Sequence, residues 1–337
     1  MSPASAVVTG GSGFIGSHLV ERLVEAGSHV RSYDLGPPPP DLDPAAAGVE
    51  HVIGDIRDET ALRKAIRPGV AVVYHLSAVV GVDRYLACPL DVIEVNLLGT
   101  RNVLRLAAEV GAKVVVASTS EVYGKNPRVP WAEDGDRVLG GTSTDRWSYS
   151  SSKALAEHLT FAYARSTGLR ACVVRYFNVY GPRQRPAYLV SRTIHRVLRG
   201  EPPLVYDGGR QTRAFTFVAD AVAGTLLAGV DPAADGECVN IGSDRESTVA
   251  EVVGMVCELA GAAVTPQPVL TGEAFGAGYE DIPRRVPDVA KARRLLGWRC
   301  RTSLREGIDR TIRWARANPW WTAPPAPDRP ADERAGR

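Results

Sequence analysis

Along the chain, short β-branched runs alternate with longer stretches whose apolar positions recur at helical spacing, the pattern of βαβ units on a parallel sheet. The candidate strands are Ala6 to Thr9, His29 to Asp34, Ala71 to Leu76, Lys113 to Ser118 and Ala171 to Tyr176. Helices run between them, including Gly16 to Ala26, stopped by Gly27, and Val95 to Val110, stopped by Gly111. The expected fold is a doubly wound α/β sheet over 1–180, to which 214–242 also contributes. Proline and glycine breaks after Gly181 mark a smaller α/β lobe over 181–321. Thr248 with Glu251, and Ser303 with Glu306, have capping-box spacing ahead of helical runs. The tail from Thr322 is proline-rich and polar and is expected to be disordered, and the prolines at 37–40 form a stiff loop.

The 337 residues are 45% hydrophobic and 23% charged, as in ordinary globular proteins. A formal charge of +2 gives no basic footprint for nucleic acid. No apolar stretch reaches the roughly 20 residues that cross a bilayer. The opening MSPASAVVTGGSG enters a strand by Ala6, so a cytoplasmic protein without a signal peptide is expected. Five scattered cysteines without a C-x-x-C pair read as reduced thiols, most of them buried, and no metal site is indicated.

GGSGFIG at 10–16 sets Gly10, Gly13 and Gly16 three apart between the first strand and first helix. Glycines there let the backbone approach a pyrophosphate, which the helix N-terminus with Phe14 and Ile15 then holds. Asp34 ends the second strand, where a carboxylate binds the adenosine ribose. It would repel a 2′-phosphate, and no Arg or Lys follows before the prolines, so NAD is expected over NADP. Asp55 and Ile56, in GDIRD after the third strand, are placed to flank the adenine.

Tyr149 and Lys153 are four apart in YSSSKALAEHL and share one helix face. A tyrosine with a pKa near 10 is a poor base at neutral pH. An ammonium about 5 Å away, at an effective dielectric near 20, favours the phenolate by about 3 kcal/mol, about 2 pKa units. Tyr149 can then take a hydroxyl proton while hydride leaves the same carbon.

GGSGFIGSHL, STSEVYG at 118–124, YSSSK and RYFNVYGPRQRP at 175–186 resemble the extended short-chain dehydrogenase/reductase family in its nucleotide-sugar epimerase/dehydratase branch. The resemblance covers about residues 5–315. It implies a Rossmann-like fold, tightly held NAD and a nucleotide-diphosphate sugar lying across two lobes. It makes Thr119 the third catalytic member, on the sugar O4, and assigns Leu76, Ser77, Ala78, Asn96, Ser118, Tyr149, Lys153 and Tyr176 to the cofactor. Val82, Arg84, Thr119, Ser120, Glu121, Asn178, Arg213 and Arg285 fall to the substrate. It also implies a homodimer built from the helices beginning near Asn96 and Ser150.

All branches of the family begin with oxidation at C4. Its dehydratases carry Asp-Glu after the catalytic Thr, where this chain has Ser120-Glu121, so dehydration is disfavoured. Glucuronate decarboxylases are similar at STSEVYG, QTRAF and Arg285, but they place a proline-bearing segment after H-L-x-A. This chain has instead the longer HLSAVVGVDRYLACP, of the kind in 4-epimerases. The main expectation is therefore an NAD-dependent 4-epimerase, with UDP-glucuronate decarboxylation, assisted by Glu121 and Arg285, as the alternative. Intact Thr119, Tyr149 and Lys153 argue against a non-catalytic NAD sensor.

Overall fold

The β-branched runs pair into one parallel sheet because each is apolar on both faces and helices cover both sides. A computed structural model describes residues 5–43, 47–275 and 281–323. Its strands are β1 (Ser5–Thr9), β2 (His29–Asp34), β3 (Val49–Ile53), β4 (Val72–His75), β5 (Lys113–Thr119), β6 (Ala171–Tyr176) and Cys238–Ile241. The order is Cys238–Ile241, β6, β5, β4, β1, β2, β3, with every pairing parallel. Winding reverses between β1 and β4, so a crevice opens beyond their carboxyl ends, where doubly wound sheets bind ligands. The two edge strands were absent from the candidate strands. In β3 the polar pair Glu50 and His51 interrupts the apolar run, which an edge strand tolerates because it is only partly covered.

The helices that shape the crevice are α1 (Phe14–Glu25), α2 (Glu59–Ala65), α3 (Val82–Ala87), α4 (Pro89–Glu94), α5 (Thr100–Val110) and α6 (Arg146–Thr167). The helix expected from Val95 begins with a π turn over Val95–Gly99. Such turns reposition one side chain within a helix, and here Asn96 is the one buried. A Cβ on Gly99 would overlap the Ile56 side chain, so glycine lets that isoleucine reach the helix.

Outside the main sheet, Thr212–Ala214 lies between Glu246–Thr248 and Arg284–Arg285, with Arg213 and Arg285 direct partners in register. The Thr248–Glu251 capping box has both of its hydrogen bonds, whereas Ser303 makes only its own bond to Glu306 N. Thr322 does not open a disordered tail. It closes the short helix Pro319–Thr322, anchored by buried Trp321, whose Nε1 donates to Gln184 O at 2.9 Å. The remainder of that expectation, 324–337, lies outside the described residues. Trp314 meets Trp320 and Trp321 edge to face. All five cysteines are free, but only Cys172 and Cys238 are buried. Among the described residues no group of His, Cys, Asp or Glu is arranged to hold a metal, and no helix is long and apolar enough to cross a membrane.

Candidate active site

The glycine turn is cut to fit a close-lying phosphate backbone. Gly10 has φ 74°, and a Cβ there would lie 2.8 Å from Ser77 N. A Cβ on Gly16 would overlap Gly10 O, and Gly13 caps α1, so the helix starts at Phe14 with Ile15 beside it. The amide of Ser12 donates to Asp34 Oδ2 at 2.9 Å and that of Leu35 to Oδ1 at 2.7 Å. The Asp34 carboxylate is thereby aimed along the rim of the turn. Leu76, Ser77 and Ala78 leave β4 on the opposite rim, with Leu76 N bonded to Thr9 O. The Asp55 carboxylate is occupied by Arg57, at 2.7 Å, while its carbonyl accepts from Tyr33. These glycines and the anchored acid suit a dinucleotide pyrophosphate and ribose.

Beneath the turn, His75 is fully buried between Thr9 Oγ1, at 2.7 Å, and Thr100 Oγ1, at 3.0 Å. Burial, with the Lys153 charge adding, pushes its pKa down to about 3. In the unfolded chain it titrates near 6.5. Its contribution to stability is therefore complete above that pH and is lost as the pH falls toward 3. Denaturant unfolding of wild type and His75→Asn from pH 7 to pH 4 is expected to show wild type losing a few kcal/mol more than the variant. Parallel losses would remove His75 as the acid-sensitive group.

Tyr149 stands in the first turn of α6, its ring against Tyr85, Val92, Val79 and Val82. Val82 thus reaches the site, but Arg84 does not: it is exposed on α3, and Asp83 and Arg185 pair across the cleft mouth instead. Asn96 bonds to Val79 N at 3.0 Å and to Ser152 Oγ at 3.1 Å, locking this loop to α6. Thr119, one residue beyond Ser118 at the end of β5, caps a tight turn over Ser120–Tyr123, accepting from Glu121 N at 3.2 Å, and its hydroxyl favours ionisation of Tyr149. Lys153 is buried one turn further along α6.

The expected lowering of the Tyr149 pKa is not found in the folded chain. Burial raises it, Tyr188 and Glu121 raise it further, and the Thr119 hydroxyl opposes them. Desolvation is the largest cause, and Lys153 is not among the groups acting on the phenol. Tyr176 also departs from expectation: its hydroxyl is shared with Thr225 Oγ1 at 2.6 Å inside the core, leaving only its backbone to face a cofactor.

Next to Thr119, Glu121 is gripped by arginines. Arg285 forms an ion pair with it, and Arg146 Nη2 lies 3.3 Å from Oε2. Arg213 faces the same carboxylate and is held by Asp281 at 3.0 Å. Burial alone would raise the Glu121 carboxyl, but Arg285, Arg146 and Arg213 hold it below its ordinary value. Asn178, at φ 37°, ties its amide to Ala214 O beside this cluster. Arg146 was not among the candidate residues, although its spacing of three from Tyr149 in RWSY puts both on one helix face.

Fold and site together define an NAD-dependent enzyme of the extended short-chain dehydrogenase/reductase class, in its nucleotide-sugar branch. The chain belongs to the NAD dependent epimerase/dehydratase family, whose model matches residues 6–242. It is 38% identical to a UDP-N-acetyl-alpha-D-glucosaminuronate decarboxylase of Bacillus cytotoxicus, across 92% of this chain and 97% of that protein. Among solved structures, UDP-glucose 4-epimerase of Thermotoga maritima with UDP-glucose superposes with TM-score 0.83 at 30% identity, covering 93% of this chain and 99% of that one. MoeE5 in complex with UDP-glucuronic acid and NAD superposes with TM-score 0.81 at 33% identity and the same coverage.

Proposed function

We propose that the chain decarboxylates a UDP-linked uronate through its 4-ketone, using NAD that it recycles. This reverses the order of the two readings drawn from sequence. The observation that carries it is the cluster of Glu121 with Arg285, Arg146 and Arg213 beside Thr119 and Tyr149. Arg285, Arg146 and Arg213 converge on one carboxylate, that of Glu121, and Arg213 is held by Asp281 as well. Buried Arg285 Nε also has no hydrogen-bond acceptor among the described residues. A buried donor without an acceptor costs about 1–3 kcal/mol, and a sugar carboxylate supplies one. Turning a 4-keto sugar over for epimerisation requires no such guanidinium donor. The B. cytotoxicus decarboxylase supports the same reading.

NAD, when bound, would supply the reversible hydride acceptor for the sugar C4. Gly10, Gly13, Gly16 and Asp34 would hold it, with Lys153 toward the nicotinamide ribose. Tyr149 receives the O4 proton and Thr119 fixes O4. Arg285 and Arg146 orient the carboxylate, Asn178 and Arg213 the diphosphate side. A carboxylate β to a ketone leaves as CO2, its electron pair settling on O4, where the Tyr149 and Thr119 hydroxyls stabilise it. C5 then takes a proton from water on the side of Glu121 and Arg285, and Tyr149 returns its proton to O4 as the hydride returns to C4. The second reading, 4-epimerisation, is favoured by the likeness to the T. maritima enzyme and needs only Tyr149, Lys153 and Thr119.

Incubation with UDP-glucuronate, UDP-N-acetylglucosaminuronate, UDP-glucose and UDP-N-acetylglucosamine, with products read by mass and NMR, tests the proposal. Release of CO2 from either uronate is the expected result. An unchanged mass with altered ring couplings would replace it with epimerisation.

We also propose a homodimer through the exposed Leu90, Ile93, Leu98 and Leu155 on α4, the π turn and α6. Sedimentation equilibrium should give a dimer that Leu90→Glu with Leu155→Glu converts to a monomer. A monomeric wild type refutes it.

A further inference from the structure

One turn beyond Lys153, α6 carries another buried charge, Glu157, 5% exposed. Arg175 grips it in two places, Nε to Oε1 at 2.9 Å and Nη2 to Oε2 at 2.6 Å, and the Ser118 hydroxyl bonds Oε1 as well. Ser118 and Arg175 are direct partners in the β5–β6 register. Arg175 Nη1 is itself fixed by Tyr123 Oη at 2.8 Å and Glu133 O at 2.9 Å. The carboxylate therefore takes its place from the strands, one residue before Thr119, and keeps it whatever the charge on Lys153.

Tyr149 and Lys153 are both buried one turn apart on α6, and neighbouring titratable groups share their protons as a pair. With one proton removed, the pair is either phenolate with ammonium, which can accept a sugar proton, or phenol with amine, which cannot. The fold alone leans toward the second form. Burial pulls Lys153 down to about 8, with Glu157 opposing, while burial pushes Tyr149 up. The surrounding groups divide by side. From β4, His75 is neutral above about 3 and offers no countercharge. Tyr85, Val92 and Asn96 meet α6 from α3, α4 and the π turn, uncharged at neutral pH. Arg175 from β6, Arg137 from the loop after the Ser120–Tyr123 turn, and Cys238 face Glu157. Glu121 and Tyr188 face Tyr149 from the substrate side.

We propose that Glu157 is a positioning residue that decides which member of the pair gives up the proton: its strand-anchored negative charge holds the ammonium on Lys153, so that ionisation falls on Tyr149. The proposal rests on the C4 oxidation common to the family and not on the fate of the ketone.

The test uses the NAD holoenzyme, with Glu157→Gln as the isosteric neutral variant and Glu157→Asp as the conservative one. The ultraviolet tyrosinate signal of each is titrated upward from pH 8 against the same protein carrying Tyr149→Phe and compared at equal pH, together with kcat and KM for UDP-glucuronate, NAD content and melting temperature. In Glu157→Gln the Tyr149 tyrosinate signal and kcat are expected to fall together by about tenfold, the equivalent of one pK unit, with KM and NAD content unchanged. Glu157→Asp should fall between the two. A purely structural role would lower the melting temperature and kcat while leaving the tyrosinate signal alone, and that result in either variant overturns the proposal. Should Glu157→Gln fail to fold, the intermediate signal of Glu157→Asp decides. Because the signal is read without substrate, it stands even where uronate decarboxylation fails.

Discussion

Replacing Tyr149 with phenylalanine is expected to lower turnover of UDP-glucuronate by about 10³-fold, within the range lost when a positioned acid-base group is removed. Folding should be almost unaffected. The ring remains in its apolar cluster with Tyr85 and Val92, and only a hydroxyl is removed. NAD should be retained, because the glycine turn after β1, Asp34 at the end of β2 and Lys153, which would hold it, are all unchanged. The checks are kcat, bound NAD after gel filtration, and melting temperature. A variant keeping more than a tenth of wild-type turnover would show that another group moves the proton.

Arg285→Met keeps the length of the side chain and removes its charge. Loss of one preorganised cationic donor should slow CO2 release by about 10²-fold. Glu121 keeps Arg146, so no buried carboxylate is stranded and the protein should stay folded. The informative contrast is between steps. Reduction of bound NAD by UDP-glucuronate, seen as NADH absorbance, should persist while CO2 release falls, so that a 4-keto sugar accumulates. Decarboxylation at the wild-type rate would reduce the arginine cluster to a structural ion-pair network.

How far the site was legible in the chain depended on distance along it. The glycine turn needs three residues in one heptapeptide, and Tyr149 and Lys153 one turn of one helix, so both could be read directly. Arg146 was equally local but carries no distinctive motif, and only its convergence on Glu121 with Arg285 gives it meaning. The segment HLSAVVGVDRYLACP argued for an epimerase by its length. In the fold it becomes α3 and the start of α4, laid over the Tyr149 ring, and its length says nothing about the carboxylate side of the site.

The sequence by itself determined the parallel α/β sheet, the dinucleotide turn and the Tyr149–Lys153 pair, because periodicity, backbone conformational freedom and helical spacing act over neighbouring residues. Only the tertiary structure decided the charge environment. Arg285 and Arg213 meet through strand register, Glu121 is held ionised by residues up to 164 positions away, and Tyr149 is raised by burial. Desolvation and Coulomb interactions depend on distance in space, which no local pattern encodes.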